Sequence, residues 1–171
     1  MWIFGYGSLI WRPDFEFEEA RLAYLEGWER VFSQGSPDHR GTPEEPGRVV
    51  TLRACATGGL WGRAFRIRED AVEGILERLD HREQGGYERI SISLCPNEEA
   101  TEHWDAVTYV APAGNPHDLG VASLDAMVTQ ISTAIGPSGP NRDYVVRLRE
   151  ALDGLEISDP RVSQIADALV Q

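Results

Sequence analysis

The sequence contains no lysine; every one of its 16 basic residues is arginine. That absence excludes Schiff-base chemistry, a pyridoxal site and a P-loop, each of which needs an ammonium at a fixed position. Cysteine is scarce as well. Cys55 and Cys95 stand far apart and form no CxxC pair, which excludes a disulfide framework and argues against a zinc site of the usual spacing. Neither has a His or Lys beside it in sequence, so both read as small buried thiols. No apolar run approaches the roughly 20 residues that a membrane-spanning helix needs. Positive charge is in deficit, with 28 acidic residues against 16 basic ones and a formal charge of −12. Nucleic-acid backbones and anionic membranes are therefore poor partners unless a local basic patch overrides the overall field. The opening Met1-Trp2-Ile3-Phe4 has neither a basic leader nor a cleavage signal, which predicts a reducing, cytoplasmic location.

What is present is the balance of an ordinary globular protein. The 171 residues are 42% hydrophobic and 26% charged, which predicts a single domain over 1–171. Strand signals fill the first two thirds. Met1 to Phe4 reads as a buried strand stopped by Gly5, and Arg21 to Phe32 as a second with a turn or bulge at Gly27. Arg48–Leu52 and Leu60–Phe65 flank Gly58-Gly59 and predict a hairpin. Ile90, Ile92 and Leu94 alternate with serines as in a half-buried strand, and Val107 with Tyr109 suggests one more.

Helical periodicity begins with Val72, Ile75, Leu76 and Leu79, a stripe ended by Gly85-Gly86. It returns in Leu124–Ile135, in Val145–Leu152, and in Val162–Leu169 behind an Asp159 cap and Pro160. Strands that follow strands without regular crossover helices predict an α+β fold with mostly antiparallel pairing.

Two features carry chemistry. Gly5-Tyr6-Gly7-Ser8-Leu9 ends the first strand, and alternate glycines let successive N–H groups turn toward an anion. The same residues also suit an ordinary turn. The spacing is not that of a nucleophile elbow, which needs glycines two before and two after the serine. The second feature is Glu83, which continues the apolar stripe of Leu76 and Leu79. Partial burial and the negative end of the helix dipole would raise its pKa toward the range of a general base. A helix that frays early would instead leave Glu83 exposed, or paired with Arg82 or Arg89. Four His–Asp neighbours, at Asp38-His39, Asp80-His81, His103 with Asp105, and His117-Asp118, hint at a metal or a Ser-His-Asp arrangement. No two of these histidines share a metal-ligand spacing, and so many acids produce such neighbours by chance.

The blocks Trp2-Ile3-Phe4-Gly5-Tyr6-Gly7-Ser8-Leu9-Ile10-Trp11-Arg12-Pro13, Asp38-His39-Arg40-Gly41-Thr42-Pro43 and Pro46–Leu52 resemble the ChaC-type γ-glutamylcyclotransferases. So do Arg82-Glu83 with Gly85-Gly86-Tyr87, Asn115-Pro116, and Ser138-Gly139 with Asn141 and Tyr144. The resemblance implies a mixed fold built on an antiparallel-rich β-barrel with packed helices. It implies cleavage of glutathione to 5-oxoproline and cysteinylglycine without metal or cofactor. It also implies that Tyr6, Gly7, Ser8 and Leu9 hold the γ-glutamyl group and that Glu83 is the catalytic acid/base. The chain departs from the pattern after Asn115-Pro116, where Asp118 stands in place of an aromatic residue. That departure bears on how the leaving dipeptide is recognised.

A γ-glutamyl substrate brings its own nucleophile, the α-amine, so the missing lysine is no obstacle. The loop N–H groups would bind the α-carboxylate, the developing oxyanion, or both. Arg40 and Tyr144 are further candidate contacts for substrate carboxylates and carbonyls, with local salt bridges and core packing as the alternative for each. Three other readings stand beside this one: a cyclotransferase for other γ-glutamyl amino acids or amines, a non-catalytic γ-glutamyl-binding domain, and a hydrolase built on Ser8 with a histidine.

Overall fold

The computed structural model describes residues 1–170, which divide into two compact units. The first comprises Met1–Arg30 and Leu52–Val110, and the second Val31–Thr51 and the described residues from Ala111 onward. The division cuts two long strands, β2 (Glu19–Ser36) and β3 (Gly47–Arg66). The first unit also holds β1 (Trp2–Gly5), helix α1 (Val72–Arg82), β4 (Glu88–Leu94) and β5 (Trp104–Val110).

These strands form one sheet in the order β2-β3-β1-β5-β4. β1 runs antiparallel to β3, pairing Ile3 with Phe65, and parallel to β5, pairing Ile3 with Val107. β4 and β5 form a long antiparallel ladder from Glu88↔Val110 to Leu94↔Trp104. As the central strand, β1 is covered on both faces: its successive residues Ile3 and Phe4 are each fully buried. That is why it reads as a continuous apolar run rather than an alternating one.

The barrel implied by the family resemblance does not form. The sheet has two open edges, β2 and β4. Tyr24 on β2 and Cys95, just past β4, exchange a single pair of backbone hydrogen bonds at 2.8 and 2.9 Å. One isolated bridge is not a ladder, and the sheet stays open.

The expected hairpin at Gly58-Gly59 does not form either, because β3 continues straight through both glycines. Their role is close approach and not a turn. A Cβ on Gly59 would collide with the Tyr24 hydroxyl, and one on Gly58 would meet Cys55 Cβ at 2.9 Å and the Trp28 carbonyl at 3.0 Å. Gly27 behaves as anticipated, with a φ of +78° that breaks the extended conformation inside β2.

The second unit carries α2 (Leu124–Thr133), the short strands β6 (Ile135–Gly136) and β7 (Gly139–Pro140), α3 (Asn141–Asp153) and α4 (Pro160–Ala168). The helical stripes supply its core: Ile131, Val145, Leu148, Leu152, Val162 and Ile165 are all buried, but Ile135, expected on the α2 stripe, lies beyond that helix on β6 and is exposed. Asp159 caps α4, its carboxylate accepting from the N–H groups of Arg161 and Val162 at 3.1 Å. None of the helices among the described residues is long and apolar enough to cross a membrane.

Candidate active site

The strand β1 delivers Gly5 to the end of the sheet, where the chain turns into a short 3₁₀ segment, Ser8–Ile10. A side chain at Gly5 would meet Leu9 Cβ at 2.8 Å, so only glycine lets the turn fold back this tightly. The turn closes with the Ile10 N–H donating to the Gly7 carbonyl at 3.0 Å and the Arg12 N–H to the Ser8 carbonyl at 2.9 Å. Ser8 and Leu9 begin the turn, so their N–H groups have no acceptor within it. N–H groups at the start of such a turn are the kind of donor that an anion or oxyanion site uses.

Tyr6 anchors this turn from below. Its hydroxyl donates to the Tyr109 carbonyl at 2.6 Å, and its carbonyl accepts from Arg30 Nε at 2.7 Å. Arg30 is itself buried and also donates to the Trp61 carbonyl at 2.9 Å. The Tyr6 side chain thus holds the loop.

Helix α1 brings Glu83 to this turn by packing. Ile75 and Leu79 on α1 share one buried cluster with Ile3 on β1, Leu9 in the turn, Ile67 and Tyr109 on β5. Each fully buried aliphatic side chain of this kind contributes about 1.5–3 kcal/mol. Because Leu9 and Leu79 lie in the same cluster, the end of α1 and the turn are fixed together. Glu83 follows as the C-terminal cap of α1, its N–H donating to the Leu79 carbonyl at 2.9 Å.

The Glu83 side chain is 17% exposed, so the helix does not fray to leave it in water. Its Oε1 lies 3.3 Å from Arg82 Nε. Arg89, the other partner weighed from sequence, pairs instead with Asp80 at 3.2 Å.

Arg82 is the residue that sequence reasoning undervalued. Its Nη2 donates to the Ser8 hydroxyl at 2.9 Å while its Nε faces Glu83. Its Nη1 donates to the Arg12 carbonyl at 2.9 Å and to Asp14 at 3.3 Å. One side chain therefore joins the turn to the candidate base. The available signal was adjacency to Glu83 at the end of the stripe, but adjacency does not reveal where a long side chain reaches. The same contact weighs against a Ser8 nucleophile, since the hydroxyl meets a guanidinium where a general base would be needed.

Arg40 and Tyr144 lie in the second unit and contact each other, the guanidinium 6.0 Å from the ring centroid. Arg40 Nη1 donates to the Pro140 carbonyl at 3.1 Å, and the Tyr144 hydroxyl accepts from the Val50 N–H at 3.4 Å. Both are buried. Asp118 is spent on its own loop, accepting from the Gly114 N–H at 2.7 Å and the Gly120 N–H at 3.1 Å. It also faces Arg48, whose pKa is drawn down by burial and supported by the Asp118 charge. Arg48 donates to the Phe32 carbonyl at 2.7 Å, the Gly120 carbonyl at 3.0 Å and Gln130 at 2.9 Å.

The cysteine reading needs two amendments: Cys55 is only half-buried, and Cys95, though buried as expected, has its Sγ 3.4 Å from His103 Nδ1, a neighbour made by the chain returning after β4. Among the described residues a partial Ser-His-Asp set occurs at His39, 3.3 Å from Ser138 Oγ and 3.8 Å from Asp38. Both His39 and Asp38 are more than half exposed there.

The family model described as ChaC-like protein matches residues 1–171. The chain belongs to the ChaC-like family. Among the relatives of this ChaC-like chain, glutathione-specific gamma-glutamylcyclotransferase 1 of Homo sapiens is 39% identical, over 99% of this chain and 78% of that protein. Gamma-glutamylcyclotransferase 2-3 of Arabidopsis thaliana is 41% identical, over 98% of this chain and 87% of that one. A crystal structure of a glutathione-specific gamma-glutamyl cyclotransferase from yeast superposes with a TM-score of 0.90 at 23% identity, covering 99% and 95% of the two chains. At that identity the superposition speaks for the fold alone.

Proposed function

We propose that residues 1–171 act as one cytoplasmic γ-glutamylcyclotransferase domain that degrades glutathione to 5-oxoproline and cysteinylglycine. The names of the curated relatives support the substrate. The observation that carries the mechanism is the mostly buried Glu83 carboxylate, joined through one guanidinium to the turn at Ser8.

The chemistry follows from what the substrate lacks. The α-amine can close a five-membered ring on the γ-carbonyl, but near pH 7 it is largely an ammonium, given a reference pKa of about 8. Glu83 takes that proton, the amine attacks, and the carbonyl oxygen gains negative charge. The Ser8 and Leu9 N–H groups meet either that charge or the substrate α-carboxylate. Glu83 then returns the proton to the departing amide nitrogen, cysteinylglycine leaves, and the ring nitrogen sheds its second proton to the departing amine or to water as the lactam forms. Such acid/base help is typically worth ~10² to 10⁴ in rate. Ring closure is already unimolecular in water, so the full proximity gain of about 7–11 kcal/mol is not the enzyme's to claim. The reaction asks for no external nucleophile and no cofactor.

The test is product identification from glutathione with a chelator present. The expected products are 5-oxoproline and cysteinylglycine in equal amounts. Release of free glutamate would replace this reading with a hydrolase. A panel of γ-glutamyl amino acids and amines run alongside would locate the preferred substrate if glutathione is turned over poorly.

A further inference from the structure

The Arg82 guanidinium makes more contacts than an ion pair with its neighbour requires. It donates to the carbonyls of Arg12 and Pro13 at 2.9 and 3.4 Å, to Asp14 at 3.3 Å and to the Ser8 hydroxyl at 2.9 Å, and it faces Glu83 at 3.3 Å. Those carbonyls lie beyond the turn and outside α1, so Arg82 does not cap its own helix. Its planar fork spans three directions at once: Nε toward the candidate base, Nη2 toward the turn, Nη1 toward the segment after it.

We propose that Arg82 is a positioning residue for ring closure, holding the Glu83 carboxylate in register with the Ser8 turn and keeping it ready to accept the amine proton. This rests on Glu83 being the base. Geometry is one half of the contribution, because a displacement of about 1 Å can cost ~10²-fold in rate. Charge is the other half, because a cation within about 4–6 Å moves a carboxylate pKa by 1–3 units. Other charged and titratable groups lie on the neighbouring segments. Asp14 also pairs with Arg12 at 2.9 Å. Asp80 on α1 pairs with Arg89 on β4 at 3.2 Å and accepts from the Tyr109 hydroxyl on β5 at 2.6 Å. Arg82 is a cation placed to act on Glu83, at 3.3 Å.

The experiment compares R82Q, R82K and E83Q in the full chain, with pH profiles of kcat and kcat/KM on glutathione and circular dichroism to measure folding. R82Q is expected to lose about 10- to 100-fold in kcat. Its KM should change far less, and the acidic limb of kcat/KM should move up by about one pH unit or more. R82K keeps the charge but not the fork, so its limb should stay near that of the parent while kcat remains reduced. A raised KM with kcat and limb unchanged would make Arg82 a substrate contact and overturn the proposal. So would unaltered kinetics in either variant. If R82Q does not fold, R82K decides: a parental kcat there removes the positioning role. E83Q separates the two readings. Turnover in E83Q removes the base itself, whereas an inactive E83Q beside an unshifted R82Q removes only the role given to Arg82.

Discussion

At the scale of single residues, Glu83→Gln is the sharpest change. It keeps the shape of the side chain and removes the proton acceptor, so the fold and most substrate binding should survive. The expected result is a fall in kcat of at least ~10²-fold with KM nearly constant, read by 5-oxoproline formation on a sample with unchanged circular dichroism. The candidacy of Glu83 was legible because the stripe through Leu76 and Leu79 continues to it, and the structure leaves it 17% exposed. Its electrostatic setting was only half legible. Burial and the helix end follow from periodicity, but the Arg82 contact depends on a rotamer and on where the 12–14 segment passes. The roles of Tyr6 and Asp118 were hidden for the same reason. Their partners, the Tyr109 carbonyl and the Gly114 and Gly120 N–H groups, are assigned by tertiary and loop geometry.

At the scale of elements, β3 is where local and long-range signals disagree. Gly58-Gly59 looks like a turn from either side, and only the Tyr24 side chain arriving from β2 explains why glycine is needed in an unbroken strand. Gly59→Ala should therefore overpack this contact and cost about 1–3 kcal/mol, read as a lower urea midpoint. Helix α1 gives the converse case. Its stripe predicts its buried face, and Leu79→Ala should open a cavity costing about 2–5 kcal/mol. Activity should fall with it, since the Leu79 carbonyl receives the Glu83 N–H and the same cluster holds Leu9 in the turn. The cap of α4 was fully local: Asp159 precedes Pro160 and accepts from the N–H groups of Arg161 and Val162. Asp159→Ala should cost about 1 kcal/mol in the same titration without touching the candidate site.

At the scale of the whole molecule, charge sets the response to solution conditions. The pKa of Tyr109 is raised well above its ordinary value of 10.0, chiefly by burial and next by its hydrogen bond to Asp80. Above the ordinary value the unfolded chain has lost a proton that the folded chain keeps. Stability from this group is therefore complete below about pH 10 and declines as the pH rises further. Thermal midpoints measured from about pH 8 to 11 should fall on the alkaline side, and Tyr109→Phe should flatten that fall. The formal charge of −12 adds self-repulsion, so raising salt from about 10 to 150 mM should raise the midpoint by shortening the screening length from roughly 30 to 8 Å.

The amino-acid sequence by itself determined the α+β class, the run of strands before helices and most of the buried faces of those helices. All of these follow from local periodicity, capping and the chemistry of residue types. Only the tertiary structure decided that the sheet stays open, that β3 does not fold into a hairpin, and that one guanidinium links Ser8 to Glu83. Those outcomes depend on contacts between residues distant along the chain, where sheet edges, side-chain reach and close backbone approach are set by packing.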